Sequence, residues 1–150
     1  MQKEKIYLYL DDVRTPIDKI WYTVRNYEDF VQFIEDVGLE NIEVISLDHD
    51  LGPSAMKEYF NNVSPNYTLN YENIEEKTGL DCAKYLIDLF YKKNPNISRS
   101  EAKIDGIIFP TVYTHSANPI GSANIMGYIN NFFMNIGQPQ TCVRVRIPHT

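Results

Sequence analysis

Two apolar segments, each followed directly by acidic residues, constrain the fold of this chain more than any other feature. The segments IYLYL (6–10) and IEVISL (42–47) have the length of a strand and are rich in residues that favour strands. Strands that are buried on both faces, as in a parallel sheet, show such apolar runs instead of a strict alternation. The sequence therefore predicts a largely parallel sheet.

Segments with helical periodicity separate the predicted strands. Three of them lie at residues 26–38, 78–93 and 121–137. Asn26 and Thr78 are suitable N-caps, and Gly38 is a typical stop signal. Further strand-like segments lie at 21–26, 103–115 and 141–147. The order β, β, α, β, α, β, α, β predicts one α/β domain, residues 1–150, with helices on both faces of its sheet.

One polar connection does not fit this rhythm. Residues 53–77 are rich in Asn and only weakly periodic. A connection of this length inside a compact domain is usually a functional segment or a mobile insertion. We therefore interpret residues 53–77 as an insertion and a candidate substrate lid.

Composition argues against several classes of function. The formal net charge is −6, which argues against an extended nucleic-acid-binding surface but leaves room for a small basic pocket. No apolar segment approaches the roughly 18 residues of a membrane span, and the first residues do not resemble a secretion signal. Cys82 and Cys142 are too few and too far apart for a metal knuckle or a disulfide framework. We expect reduced thiols and a cytoplasmic location.

Acidic and polar residues follow three of the predicted strands. In chain order they are Asp11 and Asp12, then Asp48, His49 and Asp50, and then the segment 113–124. The carboxyl ends of parallel strands share one edge of a sheet, where ligands bind. Carboxylates crowded there would raise one another's pKa unless a cation neutralised them. Mg²⁺ prefers oxygen ligands and often contacts substrate phosphate, so the pattern predicts a metal-dependent site for a phosphorylated substrate.

Several of these polar residues also have a purely structural interpretation. An Asp pair after a strand commonly forms a turn or a cap, and Asn118 before a proline is a typical turn former. Arg14 could hold a phosphate through two hydrogen bonds or could form a surface salt bridge. Arg144 and Arg146 alternate along the last predicted strand, which is compatible with two side chains that only face solvent.

The two internal histidines are also ambiguous. His115 is as compatible with a buried, hydrogen-bonded histidine as with a catalytic one. His49 has the opposite strand parity to Asp48 and Asp50, so it would point away from a metal if the strand continued that far.

Four motifs occur in an order that is similar to a known family. The motifs LDDVRTP, SLDHDLG, TGLDCAKYL and HSANPIGSANI together resemble the cyclic-phosphate-processing receiver domain. That resemblance implies a flavodoxin-like, receiver-like, doubly wound sheet of about five mainly parallel strands. It also implies that metal, Mg²⁺ or Mn²⁺, would be bound by Asp11, Asp12 and Asp48. Substrate phosphate would be bound by Arg14, Ser116 and Asn118, and the catalytic candidates are His115, His49 and Asp50.

The resemblance favours a metal-dependent phosphoesterase that acts on a cyclic phosphate of a small nucleotide, an RNA end or a ribose-phosphate derivative. A non-catalytic receiver that switches a partner is the alternative. The segment VRVRIPHT lacks the lysine that ordinary receivers carry at the end of the last strand, which argues against that alternative. The spacing of Asp48 and Asp50 also resembles the DxD motif of haloacid-dehalogenase-like phosphatases, but that motif normally follows the first strand. We expect no membrane partner.

Overall fold

Parallel strands form a single sheet in the computed structural model, which describes residues 5–95, 97 and 109–150. Within these residues the strands are β1 (Ile6–Leu10), β2 (Trp21–Val24), β3 (Ile42–Leu47), β4 (Thr111–Thr114) and β5 (Val143–Arg144). All of them pair in parallel, in the order β2-β1-β3-β4-β5. The predicted flavodoxin-like, receiver-like α/β class is confirmed.

Helices connect the strands from β2 onwards. In chain order they are α1 (Tyr27–Val37), α2 (Pro53–Glu58), α3 (Ser64–Asn66), α4 (Gly79–Lys93) and α5 (Pro119–Asn135). α4 contacts both α1 and α5, so the three long helices lie side by side. Right-handed crossovers between successive strands place these three helices on one face of the sheet, which differs from the predicted arrangement with helices on both faces.

The predicted helix signals act as capping groups. The Asn26 side chain accepts a hydrogen bond from Asp29 N at 2.8 Å, which caps α1. Gly38 ends that helix with a φ of 86°, a left-handed conformation that favours glycine. Thr78 and Asp81 form a reciprocal capping box at the start of α4. These caps fix where the helices begin and end relative to the strands.

A hydrophobic core joins the long helices to the sheet. Its buried strand residues are Leu8, Leu10, Val24, Ile42, Ile45, Leu47 and Val112. From the helices and the chain before β4, aromatic rings pack edge to face, notably Phe90, Phe109, Phe132 and Phe133. Burying one such side chain stabilises the fold by about 1.5–3 kcal/mol. The core therefore holds the ends of β1, β3 and β4 in a fixed arrangement.

The connection from β1 to β2, residues 11–20, contains no helix. It is held instead by the last residues of the sequence. Ile17 N donates to Pro148 O at 3.0 Å, and Thr150 N donates to Thr15 O at 2.9 Å. Pro16 and His149 also form an antiparallel bridge. These contacts join the loop after β1 to residues 148–150.

The 53–77 insertion is folded around a buried carboxylate. Glu58 is 3% exposed. It accepts hydrogen bonds from Asn70 N at 2.8 Å, Asn62 Nδ2 at 2.7 Å and Asn73 Nδ2 at 2.9 Å. These hydrogen bonds, led by that from Asn70 N, lower the pKa of Glu58. Besides α2 and α3, the segment includes the π-helical turn Tyr59–Val63 and the 3₁₀ turn Tyr71–Asn73.

Some predicted boundaries differ from the structure. The last strand covers only Val143–Arg144 instead of 141–147. α5 begins at Pro119, two residues earlier than predicted, because Asn118 caps it. β4 begins after Pro110, and the part of its predicted strand at 103–108 lies outside the described residues.

Two smaller predictions concern the membrane and the thiols. Among the described residues, none of the helices is both long enough and apolar enough to cross a membrane. Cys82 and Cys142 are buried free thiols, as predicted.

Candidate functional site

Three side chains meet at the ends of three neighbouring strands. Asp11 follows β1, Asp48 follows β3 and His115 follows β4. One potential ligand atom from each lies within 4.8 Å of the others. The strand pairing continues into this trio, because Asp48 N donates to Leu10 O at 3.0 Å and His115 N donates to Leu47 O at 3.0 Å. The sheet register itself therefore brings Asp11, Asp48 and His115 together.

Asp11 is a buried carboxylate with well-placed donors. Its Oδ1 accepts hydrogen bonds from Val13 N at 3.0 Å and Arg14 N at 2.8 Å. Its Oδ2 lies 2.8 Å from Arg14 Nε and 3.1 Å from His115 Nε2. Burial alone would raise the pKa of Asp11, but these hydrogen bonds, led by that from His115, hold the pKa well below its usual range. Asp11 is therefore ionised at any physiological pH.

Asp48 has fewer hydrogen-bond donors and a more distant cation than Asp11 has. Its side chain is 7% exposed, and its Oδ1 lies 2.8 Å from His49 N but 3.6 Å from Arg14 Nη2. Burial, followed by the charge of Asp11, raises the pKa of Asp48 to about 7. Burial and the neighbouring charges of Asp11 and Asp50 also raise the pKa of Asp12. The cluster thus carries more negative charge than its cations neutralise, a property expected of a cation-binding site.

Arg14 lies between the two buried carboxylates. Its Nε is 2.8 Å from Asp11 Oδ2, and its Nη2 is 3.6 Å from Asp48 Oδ1. A second arginine fixes the loop that carries it. Arg25 donates to the backbone oxygens of Asp11 at 3.2 Å and Arg14 at 2.7 Å, and to Thr15 Oγ1 at 2.6 Å. Arg14 is therefore a positioned cation within the site and not a surface salt bridge.

His115 is held by stacking of its ring on Tyr9 and by hydrogen bonds at both nitrogens. Its Nδ1 lies 2.7 Å from Ser46 Oγ, and its Nε2 lies 3.1 Å from Asp11 Oδ2. The ring stacks on Tyr9 with centroids 4.1 Å apart. Burial lowers the pKa of His115 although Asp11 opposes this shift. Because Asp11 is ionised, His115 Nε2 carries a proton and donates it to Asp11 Oδ2, and the Ser46 hydroxyl can then donate to Nδ1 of the neutral ring.

His49 has different neighbours from His115. Its Nδ1 lies 2.6 Å from Asp50 Oδ1, and its Nε2 lies 3.0 Å from the hydroxyl of Tyr71 in the insertion. Tyr71 in turn accepts a hydrogen bond from Asn124 Nδ2 at 2.9 Å. Both ring nitrogens of His49 are therefore occupied, and His49 links Asp50 to the insertion.

Asn118 and Ser116 shape the start of α5. Asn118 Oδ1 accepts from Gly121 N at 2.9 Å, and its Nδ2 lies 3.2 Å from Asp50 Oδ1. Ser116 Oγ accepts from Asn118 N at 3.1 Å. Asn118 is only 1% exposed, so its amide is used within the protein. The Ser116 hydroxyl proton is not used in that hydrogen bond.

Two glycines let the helix starts approach the chain that follows β3. A Cβ atom at Gly79 would lie 1.8 Å from Asp48 O. A Cβ atom at Gly121 would lie 2.3 Å from His49 Cγ. Gly79 N also donates to His49 O at 2.9 Å. The glycines of the TGLD and PIGSAN motifs thus allow α4 and α5 to pack against the acidic segment.

A cavity of about 440 Å³ opens beside the trio. Its lining includes Tyr9, Arg14, His115, Ser116, Arg144 and Arg146. A larger cavity of about 720 Å³ lies between α1 and α4, where Tyr27 and Lys84 line it. The smaller cavity is the candidate substrate site, because it alone of these two is lined by His115 and Arg14.

A family comparison agrees with this geometry. The family model of the cyclic-phosphate processing receiver domain matches residues 6–131. The chain belongs to this family. No curated protein and no solved structure matches it. The matched residues include Asp11, Asp48 and His115, whereas Arg144 and Arg146 lie beyond them.

Most of the predicted site residues lie near the carboxyl ends of β1, β3 and β4, but their side chains do not all meet at one point. Asp12 is only partly buried and is not among the three residues whose ligand atoms meet. Sequence reasoning missed four residues that position the site: Tyr9, Arg25, Ser46 and Tyr71. Ser46 could have been recognised as a polar residue inside an apolar strand segment. No local pattern distinguished Tyr71 from the other residues of the insertion.

Proposed function

We propose that this receiver domain is a metal-dependent phosphoesterase that opens the cyclic phosphate of a nucleotide, an RNA end or a related ribose phosphate. One observation carries the proposal: potential ligand atoms of Asp11, Asp48 and His115 lie within 4.8 Å of one another, beside a cavity lined by Arg14 and Ser116. The family's description as cyclic-phosphate processing supports the substrate class.

Asp11 and Asp48, with Asp12 beside them, would hold the cation. Carboxylate oxygens suit Mg²⁺ and Mn²⁺, and the raised pKa of Asp48 reflects crowded negative charge that a cation would relieve. A bound divalent cation would supply Lewis-acid polarisation of a phosphoryl oxygen. Imidazole suits softer metals better than Mg²⁺, so we assign His115 to the substrate.

Arg14 and Ser116 would bind the phosphate. Both line the cavity, and the Arg14 guanidinium can form charge-assisted hydrogen bonds with phosphate oxygens. The Ser116 hydroxyl can donate a neutral hydrogen bond to the same group. Asn118, whose amide is engaged by Asp50 and the start of α5, is better assigned to positioning these residues than to direct phosphate contact.

His115 would transfer the proton. In ring opening, water adds to phosphorus, the bond from phosphorus to one ribose oxygen breaks, and that oxygen takes up a proton. Imidazole is the side chain whose charge changes near neutral pH, and His115 lines the cavity. His49 would act as a positioning residue for Asp50, because its side chain is fully buried and is not among the residues that line the cavity.

Phosphorus NMR with purified protein and Mg²⁺ or Mn²⁺ tests this proposal. The substrates would be nucleoside 2′,3′-cyclic phosphates, an RNA end with a cyclic phosphate, and cyclic dinucleotides. Asp48→Asn should lower turnover about 100-fold or more, as expected when a metal ligand is lost. Asp36→Asn, which changes an exposed aspartate on α1, is the matched control and should keep full turnover. A loss below tenfold in Asp48→Asn would contradict the assignment.

A receiver that switches a partner is the second candidate, because Asp48 ends a central strand, where a receiver carries its phosphoacceptor. Among the described residues, no lysine pairs with Asp11 or Asp48. Incubation with a small phosphodonor and Mg²⁺, followed by mass spectrometry, separates the two candidates. One added phosphate that is absent from Asp48→Asn would favour the switch.

A further inference from the structure

Three of the chain's five arginines line one cavity in a protein whose net charge is −6. Arg14 comes from the loop after β1, whereas Arg144 and Arg146 come from the last residues of the sequence. The cluster is therefore built from two distant parts of the chain. A concentration of cationic side chains in an otherwise acidic protein marks a site for an anion.

The two walls of the cavity are fixed to each other. Hydrogen bonds join Ile17 to Pro148 and Thr150 to Thr15, at 3.0 Å and 2.9 Å. Arg144 Nε also donates a hydrogen bond to Ser116 O at 3.0 Å. This contact places Arg144 beside the residue that follows His115. The backbone that carries these arginines, and the side chain of Arg144, are therefore in place before any ligand binds, which lowers the entropic cost of binding.

Donors in this cavity lack partners within the protein. The Arg146 guanidinium makes no hydrogen bond or ion pair with the described residues. Arg144 uses its Nε for the hydrogen bond to Ser116 O, and its Nη groups make no further hydrogen bond with the described residues. A ligand that carries phosphate oxygens would give the Arg144 and Arg146 guanidinium groups acceptors for charge-assisted hydrogen bonds.

We infer that Arg144 and Arg146 bind a second phosphate of the substrate, separate from the cyclic phosphate that reacts beside Asp11 and Asp48. This inference rests on the proposed phosphoesterase function and names the substrate class. The substrate is a sugar phosphate that carries a further phosphate or diphosphate, such as a 5′-phosphorylated nucleoside 2′,3′-cyclic phosphate. The volume of about 440 Å³ exceeds the space that a lone ion needs and falls in the range of small-molecule sites.

The same lining predicts weak selection for the base. The ring of Tyr9 is fully buried and stacked on His115, so it offers no open face on which a base could stack. Recognition through guanidinium groups reads phosphate oxygens and carries no information about the base. Adenosine and uridine forms of one substrate should therefore react with similar kcat/KM.

The first test compares kcat/KM for adenosine 2′,3′-cyclic phosphate with and without a 5′-phosphate. The wild-type protein should prefer the 5′-phosphorylated form by at least about tenfold, as expected for charge-assisted hydrogen bonds. Arg146→Gln should reduce this preference at least about fivefold, and Arg146→Lys should fall between. Lys92→Gln, which removes one exposed cation from α4, is the matched control and should keep the preference. Equal rates on both substrates in the wild type, or an unchanged preference in Arg146→Gln, would overturn the inference.

A second test needs no turnover. Calorimetry with inorganic pyrophosphate should show binding to the wild type and to Lys92→Gln, and binding at least about fivefold weaker to Arg146→Gln. Equal binding by all three proteins, or no binding by the wild type, would refute the anion site. Arg146 is exposed, so its replacement should leave the melting temperature unchanged. If pyrophosphate binds as expected while no cyclic phosphate is opened, the proposed function fails and the anion site stands.

Discussion

Replacing Asp48 with Asn should stabilise the protein at neutral pH in the presence of a chelator, although Asp48 is a proposed metal ligand. The carboxylate is buried next to the ionised Asp11, and its nearest cation, Arg14 Nη2, lies 3.6 Å away. An ionised Asp48 therefore destabilises the folded state. Asn keeps the shape of the side chain, and its oxygen can still accept the hydrogen bond from His49 N, which is 2.8 Å long in the wild type.

The magnitude follows from the pKa of Asp48, which rises from 3.8 to about 7 on folding. Since the folded state holds this proton more tightly, stability falls as pH rises from about 4 to about 7, and the full penalty is present above that range. A shift of about three pKa units corresponds to at most about 4 kcal/mol. Removing a penalty of about 2–4 kcal/mol should raise the melting temperature of a domain of this size by roughly 5–15 °C.

Thermal and denaturant unfolding from pH 4 to pH 8, with a chelator present, measures the effect. All other groups titrate in both proteins, so the difference between wild type and Asp48→Asn isolates Asp48. That difference should be near zero at pH 4 and largest at pH 8. Mg²⁺ or Mn²⁺ should then stabilise the wild type more than the variant.

Asp11→Asn is the matched control with the opposite expected sign. Asp11 accepts hydrogen bonds from Val13 N, Arg14 and His115, and its pKa is lowered by them. Asn cannot accept all of these, so the variant should lose about 2–4 kcal/mol at neutral pH. If Asp48→Asn were destabilised to the same extent as Asp11→Asn, the argument from uncompensated charge would be refuted.

Three further replacements test the supports of the site. Gly79→Ala places a Cβ atom 1.8 Å from Asp48 O and should cost about 3 kcal/mol by denaturant unfolding. Its control, Gly127→Ala, meets no atom within 4 Å and should stabilise α5 by about 0.5–1 kcal/mol, so equal effects would contradict the packing argument. Tyr71→Phe should cost about 1 kcal/mol and speed hydrogen exchange in residues 67–77, and unchanged exchange would show that the hydroxyl does not hold the insertion. The lowered pKa of Glu58 means that its stabilisation is present above the ordinary pKa of 4.5 and is lost as pH falls below it. Protection factors for amide exchange in residues 53–77, which correct for the pH dependence of the intrinsic rate, should therefore fall in acid, and Glu58→Gln should show the same fall at neutral pH.

The fold was predictable because its signals are local and repeated. The apolar runs of β1 and β3 and the periodic segments between strands each identify one element without knowledge of the others. Asn26 and Thr78 marked helix starts through hydrogen bonds that span only three residues. The short β5 and the ordered insertion were not predictable in the same way. The fold of the insertion depends on Glu58, whose partner Asn73 lies fifteen residues away.

The site was predictable at the strand ends and not beyond them. Parallel strands place their carboxyl ends at one edge, so convergence of Asp11, Asp48 and the segment after β4 was predictable on the condition that these strands are neighbours, whereas the replacement of Asp12 by His115 in the trio was not. The separation of His49 from His115 follows from side-chain parity, a local property. The role of Arg146 could not be derived, because it depends on how residues 145–150 return to the loop after β1. Alternating arginines on an exposed strand are equally compatible with solvent exposure.

The charges of the site also imply that a metal and a phosphate assist each other's binding. Arg14 now neutralises Asp11 at 2.8 Å and approaches Asp48 at 3.6 Å. A divalent cation on these carboxylates would take over that neutralisation and leave the Arg14 guanidinium free to pair with a phosphate. A phosphate on Arg14 would, in the same way, leave Asp11 with less compensation for its charge and so favour the cation. Because such coupling is reciprocal, the factor by which the metal tightens phosphate binding must equal the factor by which phosphate tightens metal binding. The arginine between the two carboxylates is therefore the group through which the two ligands are expected to be coupled.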